Sequence, residues 1–172
     1  MRKILLFVVL SLSALSCLGQ VSGAVDAVPE FVARDMDGKQ FSMAEMKGKV
    51  VVVNLWFINC PNCLTEIKSL NEIVDQYRSE PDVVFVAPAA SKQQELVSFL
   101  QKNPFKFRVL PDSLMMIISQ FGKPDKNGDI NVPFPMHYVV DRDGKTVVKQ
   151  HGLKGVEAVR AELAKQFPAK RL

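Results

Sequence analysis

Four consecutive valines, Val50, Val51, Val52 and Val53, run on into Asn54, Leu55 and Trp56, and this stretch limits the fold more than any other. A strand with one wet face alternates apolar and polar residues; the run over 49–57 offers no wet face. It predicts a central strand covered on both sides, the position a layered α/β plan provides. The chain has 172 residues, of which 48% are hydrophobic, which suits one ordinary globular domain. A disordered tail, a collagen-like rod and a disulfide-dense miniprotein are excluded by the same composition.

Around that strand the periodicities alternate. Residues 31–41 enclose Asp35-Met36-Asp37-Gly38, a turn signal between apolar residues, and predict a β-hairpin. A helix is predicted from Pro61, with Cys63, Ile67, Leu70, Val74 and Tyr77 recurring at steps of four and three. Pro61 suits its first turn, where a missing N–H costs nothing. Strands are expected at 83–86 and 105–110. A helix over 91–101 turns Leu96, Phe99 and Leu100 inward, and a shorter one is marked by Leu114, Ile117, Ile118 and Phe121. Residues 124–133 read as a loop. A second hairpin, 136–141 with 145–150, turns about Asp141-Arg142-Asp143-Gly144, and a last helix over 156–167 buries Val159, Leu163 and Phe167. The order β-β-β-α-β-α-β-α-β-β-α makes a mixed sheet flanked by helices around one core, without internal repeats.

Residues 1–24 read as a secretory signal peptide, leaving 25–172 as the mature domain. Arg2 and Lys3 precede an apolar run broken only by Ser11 and Ser13, and small residues follow. The run is shorter than the ~20 residues that span a bilayer. Cys17 follows Ala14-Leu15-Ser16, a loose form of the lipoprotein signal, so it is either lipidated or discarded with the leader. Membrane attachment is expected only through an uncleaved leader or a lipidated Cys17. Cleavage removes Arg2 and Lys3 and no acidic residue, lowering the net charge from +4 to about +2. The remaining basic residues are dispersed, so the electrostatic footprint of a nucleic-acid partner is missing. Export, to the periplasm or to a membrane-attached position facing the extracytoplasmic side, implies an oxidising compartment in which a cysteine pair can cycle.

Cys60-Pro61-Asn62-Cys63 is the chemical signature. It lies where the buried strand hands over to a helix, so Cys60 stands at a helix N-terminus, where unpaired N–H groups and the helix dipole stabilise a thiolate. Cys63 lies one turn deeper, at the head of the apolar stripe. Cys60 is therefore expected to attack and Cys63 to resolve the mixed disulfide. Half of a zinc site is the competing reading, but there is no second cysteine pair, and His137 and His151 lack zinc-finger spacing. A structural disulfide over so short a loop would add little.

The segment from Val51 to Glu66, VVVNLWFINCPNCLTE, resembles the active-site segment of the thioredoxin superfamily. It is most similar to the exported TlpA/ResA-type thiol–disulfide oxidoreductases of the redoxin, or AhpC/TSA-like, group. Asp37-Gly38-Lys39, Lys47-Gly48-Lys49 and Phe134-Pro135-Met136-His137-Tyr138-Val139-Val140-Asp141 with Gly144 fit the same pattern. The resemblance implies a thioredoxin-like α/β fold with an N-terminal β-hairpin and, over 83–101, a central β-α insertion. It places a cis-proline at Pro135, with Pro133 as the rival at the wrong spacing, and lets the preceding residue, Phe134, pair with an extended substrate segment. It also assigns a carboxylate to Glu66, three residues after Cys63 and so over the same helical turn, where it could shuttle the proton of Cys63. A solvated first-turn Glu66 is the alternative. Asn54 stands where plain thioredoxin has a buried Asp and, being an amide, cannot act as the base. Asn59 replaces the Trp many relatives carry before the first cysteine, and the order Pro61-Asn62 departs from theirs, so a reduction potential does not carry over.

The expected function is exchange of electrons with protein or peptide thiols and disulfides, with recharging by an upstream dithiol donor and no metal or organic cofactor. Catalysis falls to Cys60, Cys63 and Glu66; Trp56, Pro61, Asn62, Phe134 and Pro135 are expected to meet the substrate. Trp56 is also read as packing under the active-site helix. A peroxiredoxin-like peroxidase is one alternative, although Leu55, Trp56, Phe57 and Ile58 stand where that family places proline and threonine. A copper-binding protein using Cys60, Cys63 and His137 is another. Asp125-Lys126-Asn127-Gly128-Asp129 faintly resembles a calcium loop, but Met136 occupies the twelfth position in place of Glu, and turn chemistry accounts for it.

Overall fold

In the computed structural model, which describes residues 27–168, the valine run is buried throughout. Strands β1 (Val32–Arg34) and β2 (Gln40–Ser42) form the N-terminal hairpin. A single 3-10 turn, Met43–Met46, leads to β3 (Val50–Leu55). Helix α1 (Pro61–Tyr77), strand β4 (Val83–Pro88) and helix α2 (Gln93–Lys102) follow. Strand β5 (Arg108–Leu110), helix α3 (Leu114–Phe121) and a small hairpin of β6 (Lys123–Pro124) and β7 (Ile130–Asn131) come next. Strands β8 (Met136–Val140) and β9 (Thr146–His151) and helix α4 (Lys154–Gln166) complete the described chain. Neither the leader reading of 1–24 nor Cys17 falls within the described residues. No helix among those residues is long and apolar enough to cross a membrane.

The main sheet has the order β5-β4-β3-β8-β9. β3 runs parallel to β4 and antiparallel to β8, which makes the sheet mixed and puts β3 at its centre. Alternation along β3 then divides its side chains between two cores. Val50 and Val52 pack with Leu70 and Ile73 of α1, Leu96 of α2 and Val159 and Leu163 of α4. Val51, Val53 and Leu55 pack with Ile117 and Phe121 of α3 and with Phe31 and Phe41 of the N-terminal hairpin. Burial on both faces is what an uninterrupted β-branched run requires.

Two expectations need correction. Strand β5 begins at Arg108, because Asn71 of α1 occupies the backbone just before it: its amide donates to the Pro104 carbonyl at 2.7 Å and its carbonyl accepts the Lys106 N–H at 2.8 Å. The short helix marked by Leu114 is present as α3, with Ile117 and Phe121 inward and Leu114 exposed. Residues 124–133 hold the turn and second strand of a small hairpin rather than an open loop. Asp125 Oδ1 accepts the N–H groups of Asn127 and Asp129 at 2.7 and 3.0 Å and folds the turn back. Asp35 does the same for Asp37 and Lys39, and Asp141 for Asp143 and Lys145. One turn chemistry closes all three, each with a glycine at positive φ (Gly38, Gly128, Gly144).

Candidate redox site

Cys60 is the N-cap of α1, with extended backbone angles, and its Sγ accepts the Cys63 N–H at 3.2 Å. Pro61 opens the helix, and the first turn carries no acidic side chain, so nothing there opposes a thiolate on Cys60. Cys60 and Cys63 are joined in a disulfide with their Cα atoms 5.2 Å apart. Both cysteines are buried in this oxidised form, and Pro61 and Asn62 are exposed between them. The loop ahead of Cys60 is tied to its surroundings. Ala90 N–H donates to the Trp56 carbonyl at 2.9 Å, and Ile58 N–H to Ser91 Oγ at 3.0 Å.

Facing the cysteines' loop is a second backbone element. The Phe134–Pro135 peptide is cis, while Pro133 has no such bond. Gly152 N–H donates to the Pro135 carbonyl at 2.9 Å, and His151 Nε2 lies 3.3 Å from the Phe134 carbonyl. Phe134 is half-buried and meets Phe57 edge to face, the ring centroids 5.2 Å apart. Pro61, Asn62 and Phe134 thus retain the accessibility a substrate contact needs, and Pro135, next to Phe134 in the chain, is buried. Trp56 does not. It is 1% exposed and packed against Phe99 and Phe105, at 5.9 and 5.2 Å between ring centroids. The substrate-contact expectation for Trp56 is therefore corrected: its isolated bridge to Ala89 extends the sheet pairing past β3 and turns the indole into the core.

Glu66 is only 3% exposed, so the solvated first-turn alternative does not hold. Its Oε1 accepts from Asn54 Nδ2 at 3.2 Å and lies 3.2 Å from His137 Nε2, while its Oε2 has no protein partner. Asn54 Nδ2 also lies 3.2 Å from His137 Nδ1. Asn54 and His137 are cross-strand partners in the β3–β8 register, and both are buried. Gly155, in the first turn of α4, backs the imidazole so closely that a Cβ there would collide with the ring. Helix α1 brings Glu66 down onto this pair from the same face that carries Cys63. The role of His137 in this cluster is the functional feature the sequence reading missed. Strand alternation from Pro135 puts it on the α1 side, but only the β3–β8 register reveals its partner. The copper reading requires His137 to turn to the cysteines; its two ring nitrogens face Asn54 and Glu66 instead. Among the described residues no three His, Cys, Asp or Glu side chains converge as a metal site.

A sequence model described as the AhpC/TSA family matches residues 24–149. The thiol-disulfide oxidoreductase ResA of Bacillus anthracis is 28% identical over 140 residues, covering 81% of this chain and 76% of its own. Among solved structures, a thiol:disulfide interchange protein of the thioredoxin family from Chlorobium tepidum TLS superposes with a TM-score of 0.63 at 22% identity, covering 81% of this chain and 94% of its own. A secreted disulfide oxidoreductase of Mycobacterium tuberculosis, homologous to E. coli DsbE, superposes with a TM-score of 0.59 at 25% identity, covering 78% and 95%. The fold is thioredoxin-like.

Proposed function

The chain belongs to the AhpC/TSA family, and from that premise we propose that it is a protein-disulfide oxidoreductase working through Cys60 and Cys63. The observation that carries this reading is the reversible type of bond at the head of α1: a disulfide between a helix N-cap and a residue one turn inside. In the reduced protein the Cys60 thiolate attacks one sulfur of a substrate disulfide, the substrate bond breaks, and a mixed disulfide forms. Cys63 then attacks Cys60 Sγ, the Cys60–Cys63 bond forms, and the second substrate sulfur leaves as a thiolate. Two electrons pass to the substrate. Glu66 accepts the proton that Cys63 gives up, and its partnerless buried Oε2 supports that role. Pro61, Asn62, Phe134 and Pro135 form the contact surface for an extended protein or peptide segment.

Work as a reductant requires an upstream dithiol protein to restore the pair. The reading places the protein outside the cytoplasm, exported by residues 1–24, with Cys17 discarded or lipidated; the secreted relative and the cysteine chemistry both favour this compartment. Direction of electron flow follows from the reduction potential of the pair: a value near −270 mV marks a reductant and one near −120 mV an oxidant. The test is reduction of a disulfide-bonded peptide by the wild type, Cys60→Ser and Cys63→Ser. Turnover is expected in the wild type alone; equal activity in all three proteins, or rapid peroxide consumption with a sulfenate on Cys60, overturns the proposal.

A further inference from the structure

Asn54, Glu66 and His137 form a fully buried polar cluster in which the hydrogen-bond roles are over-determined. The Asn54 amide nitrogen faces two atoms at 3.2 Å, Glu66 Oε1 and His137 Nδ1. A carboxylate oxygen accepts only, which orients the amide with its NH2 toward Glu66. The same NH2 then faces His137 Nδ1, so Nδ1 must present its lone pair. An imidazolium, or a neutral ring protonated at Nδ1, would set two N–H groups against each other in a site without water-exposed surface. The remaining ring proton therefore sits on Nε2, 3.2 Å from Glu66 Oε1. The N–H is off the line to that oxygen, so the contact is electrostatic at rest.

We infer that His137 is a positioning residue for the exchange reaction, held by Asn54 as the Nε2–H tautomer and setting the positive end of that N–H dipole beside Glu66 Oε1. This rests on the proposed role of Glu66. Oε1 then accepts one hydrogen bond, from Asn54, and lies beside the His137 N–H dipole, and Oε2 is left as the basic oxygen. Cys63 is on the same buried face one turn earlier, with about 5–6 Å expected between Cβ atoms at this spacing. During resolution the Cys63 S–H proton passes to Glu66 Oε2, the Cys60–Cys63 bond forms, and the bond from Cys60 to the substrate sulfur breaks. The departing substrate thiolate takes its proton from water.

Among the described residues no other charged side chain hydrogen-bonds or ion-pairs with the cluster. Strand β3 contributes Asn54, and β9 sets neutral Gln150 opposite His137. Helix α4 contributes Gly155; its Lys154 and Glu157 are exposed and its Glu162 is paired with Lys165 at 3.0 Å. Helix α1 contributes Glu66 and the cysteine pair, and its Lys68 is exposed. Gly155 closes the remaining side, leaving no room for a Cβ against the ring.

Two measurements test this. In the intact wild type, the ring-nitrogen NMR shifts of His137 should place Nδ1 in the pyridine-like range and Nε2 in the pyrrole-like range; the opposite tautomer, or an imidazolium at neutral pH, overturns the inference without any variant. Rapid-quench mass spectrometry then follows decay of the mixed disulfide between Cys60 and a disulfide-bonded test peptide from pH 5 to 9. In His137→Leu the decay should slow on the order of tenfold at the acid end, with the acid limb moved to higher pH, because the carboxylate has lost a neighbouring N–H dipole. His137→Gln, which restores an amide donor, should recover most of the rate. In a Glu66→Gln background His137→Leu should have no further effect on the limb. An unmoved limb in folded His137→Leu, equal losses in the Leu and Gln variants, or the same shift without Glu66 contradicts the inference. Failure of the wild type to form a mixed disulfide on Cys60 would instead overturn the proposed function.

Discussion

Phe57, three residues before Cys60, meets Phe134, the residue before the cis-proline, edge to face with ring centroids 5.2 Å apart. The two rings join the loop that presents the nucleophile to the loop proposed to hold the substrate backbone. Both loops leave the paired ends of β3 and β8, where Leu55 stands opposite Met136, and the ring contact carries that pairing beyond the sheet.

Phe134→Ala should therefore weaken recognition more than chemistry. An aromatic pair of this kind contributes about 0.5–1.5 kcal/mol beyond burial. The KM for a disulfide-bonded peptide should rise roughly three- to tenfold by that measure, with turnover of a small aromatic disulfide within about twofold of wild type. Steady-state kinetics on the two substrates decides it; an equal loss on both would mean that the contact holds the cysteines rather than the substrate.

Glu66→Gln separates the two halves of the exchange. Removing a general base typically costs about 10²–10⁴-fold in the step it serves. Resolution of the mixed disulfide should slow by about 10²-fold while its formation, which depends on the helix N-terminus at Cys60, stays within about threefold. Rapid-quench kinetics reads both. Slowing of formation instead would place Glu66 in the service of Cys60.

Gly155→Ala probes the wall behind the buried cluster. The added methyl group meets the His137 ring, and overpacking of this kind costs roughly 1–3 kcal/mol. At about 2–4 °C per kcal/mol for a chain of this size, the thermal midpoint should fall measurably in a calorimetric scan. An unchanged midpoint would mean that α4 is free to move off the sheet.

Much of this architecture is legible in local pattern. The valine run identifies β3, and the stripe from Cys63 to Tyr77 gives α1. The three hairpins share one turn, an Asp followed three residues later by Gly, at Asp35, Asp125 and Asp141. The second carries no strand signal in the sequence, because Pro124 and Ile130 are flanked by too few apolar residues. The buried cluster behaves differently. Asn54 and His137 are 83 residues apart and are brought together by strand register, and Gly155 carries no local turn signal that would mark it as a contact. The side-chain bonds of Asn71 likewise displace the start of β5 in a way that strand propensity over 105–107 does not reveal.

Asp35 supplies a pH-dependent staple between the N-terminal hairpin and the sheet edge. Burial pushes its carboxyl up, but the Lys39 N–H, the Arg108 guanidinium at 2.8 Å and the Asp37 N–H together outweigh that and hold it below its ordinary value. With the folded value below the unfolded one, its stabilisation is fully present above the unfolded value, about 3.9, and disappears as the pH falls through the folded one. Asp35→Asn, which can keep the turn's backbone bonds, should be less stable than wild type at pH 7, and the difference should close toward pH 2. Denaturant titrations at both pH values test this; a gap independent of pH would assign the loss to the turn alone.

The central claim is the division of labour between Cys60 and Cys63, and trapping tests it most directly. Reduced Cys63→Ser and Cys60→Ser proteins are each mixed with a disulfide-bonded peptide, quenched in acid and weighed intact by mass spectrometry. A stable peptide adduct is expected on Cys60 in Cys63→Ser and none in Cys60→Ser. An adduct of equal yield on Cys63 in the Cys60→Ser protein, or none in either, would contradict it.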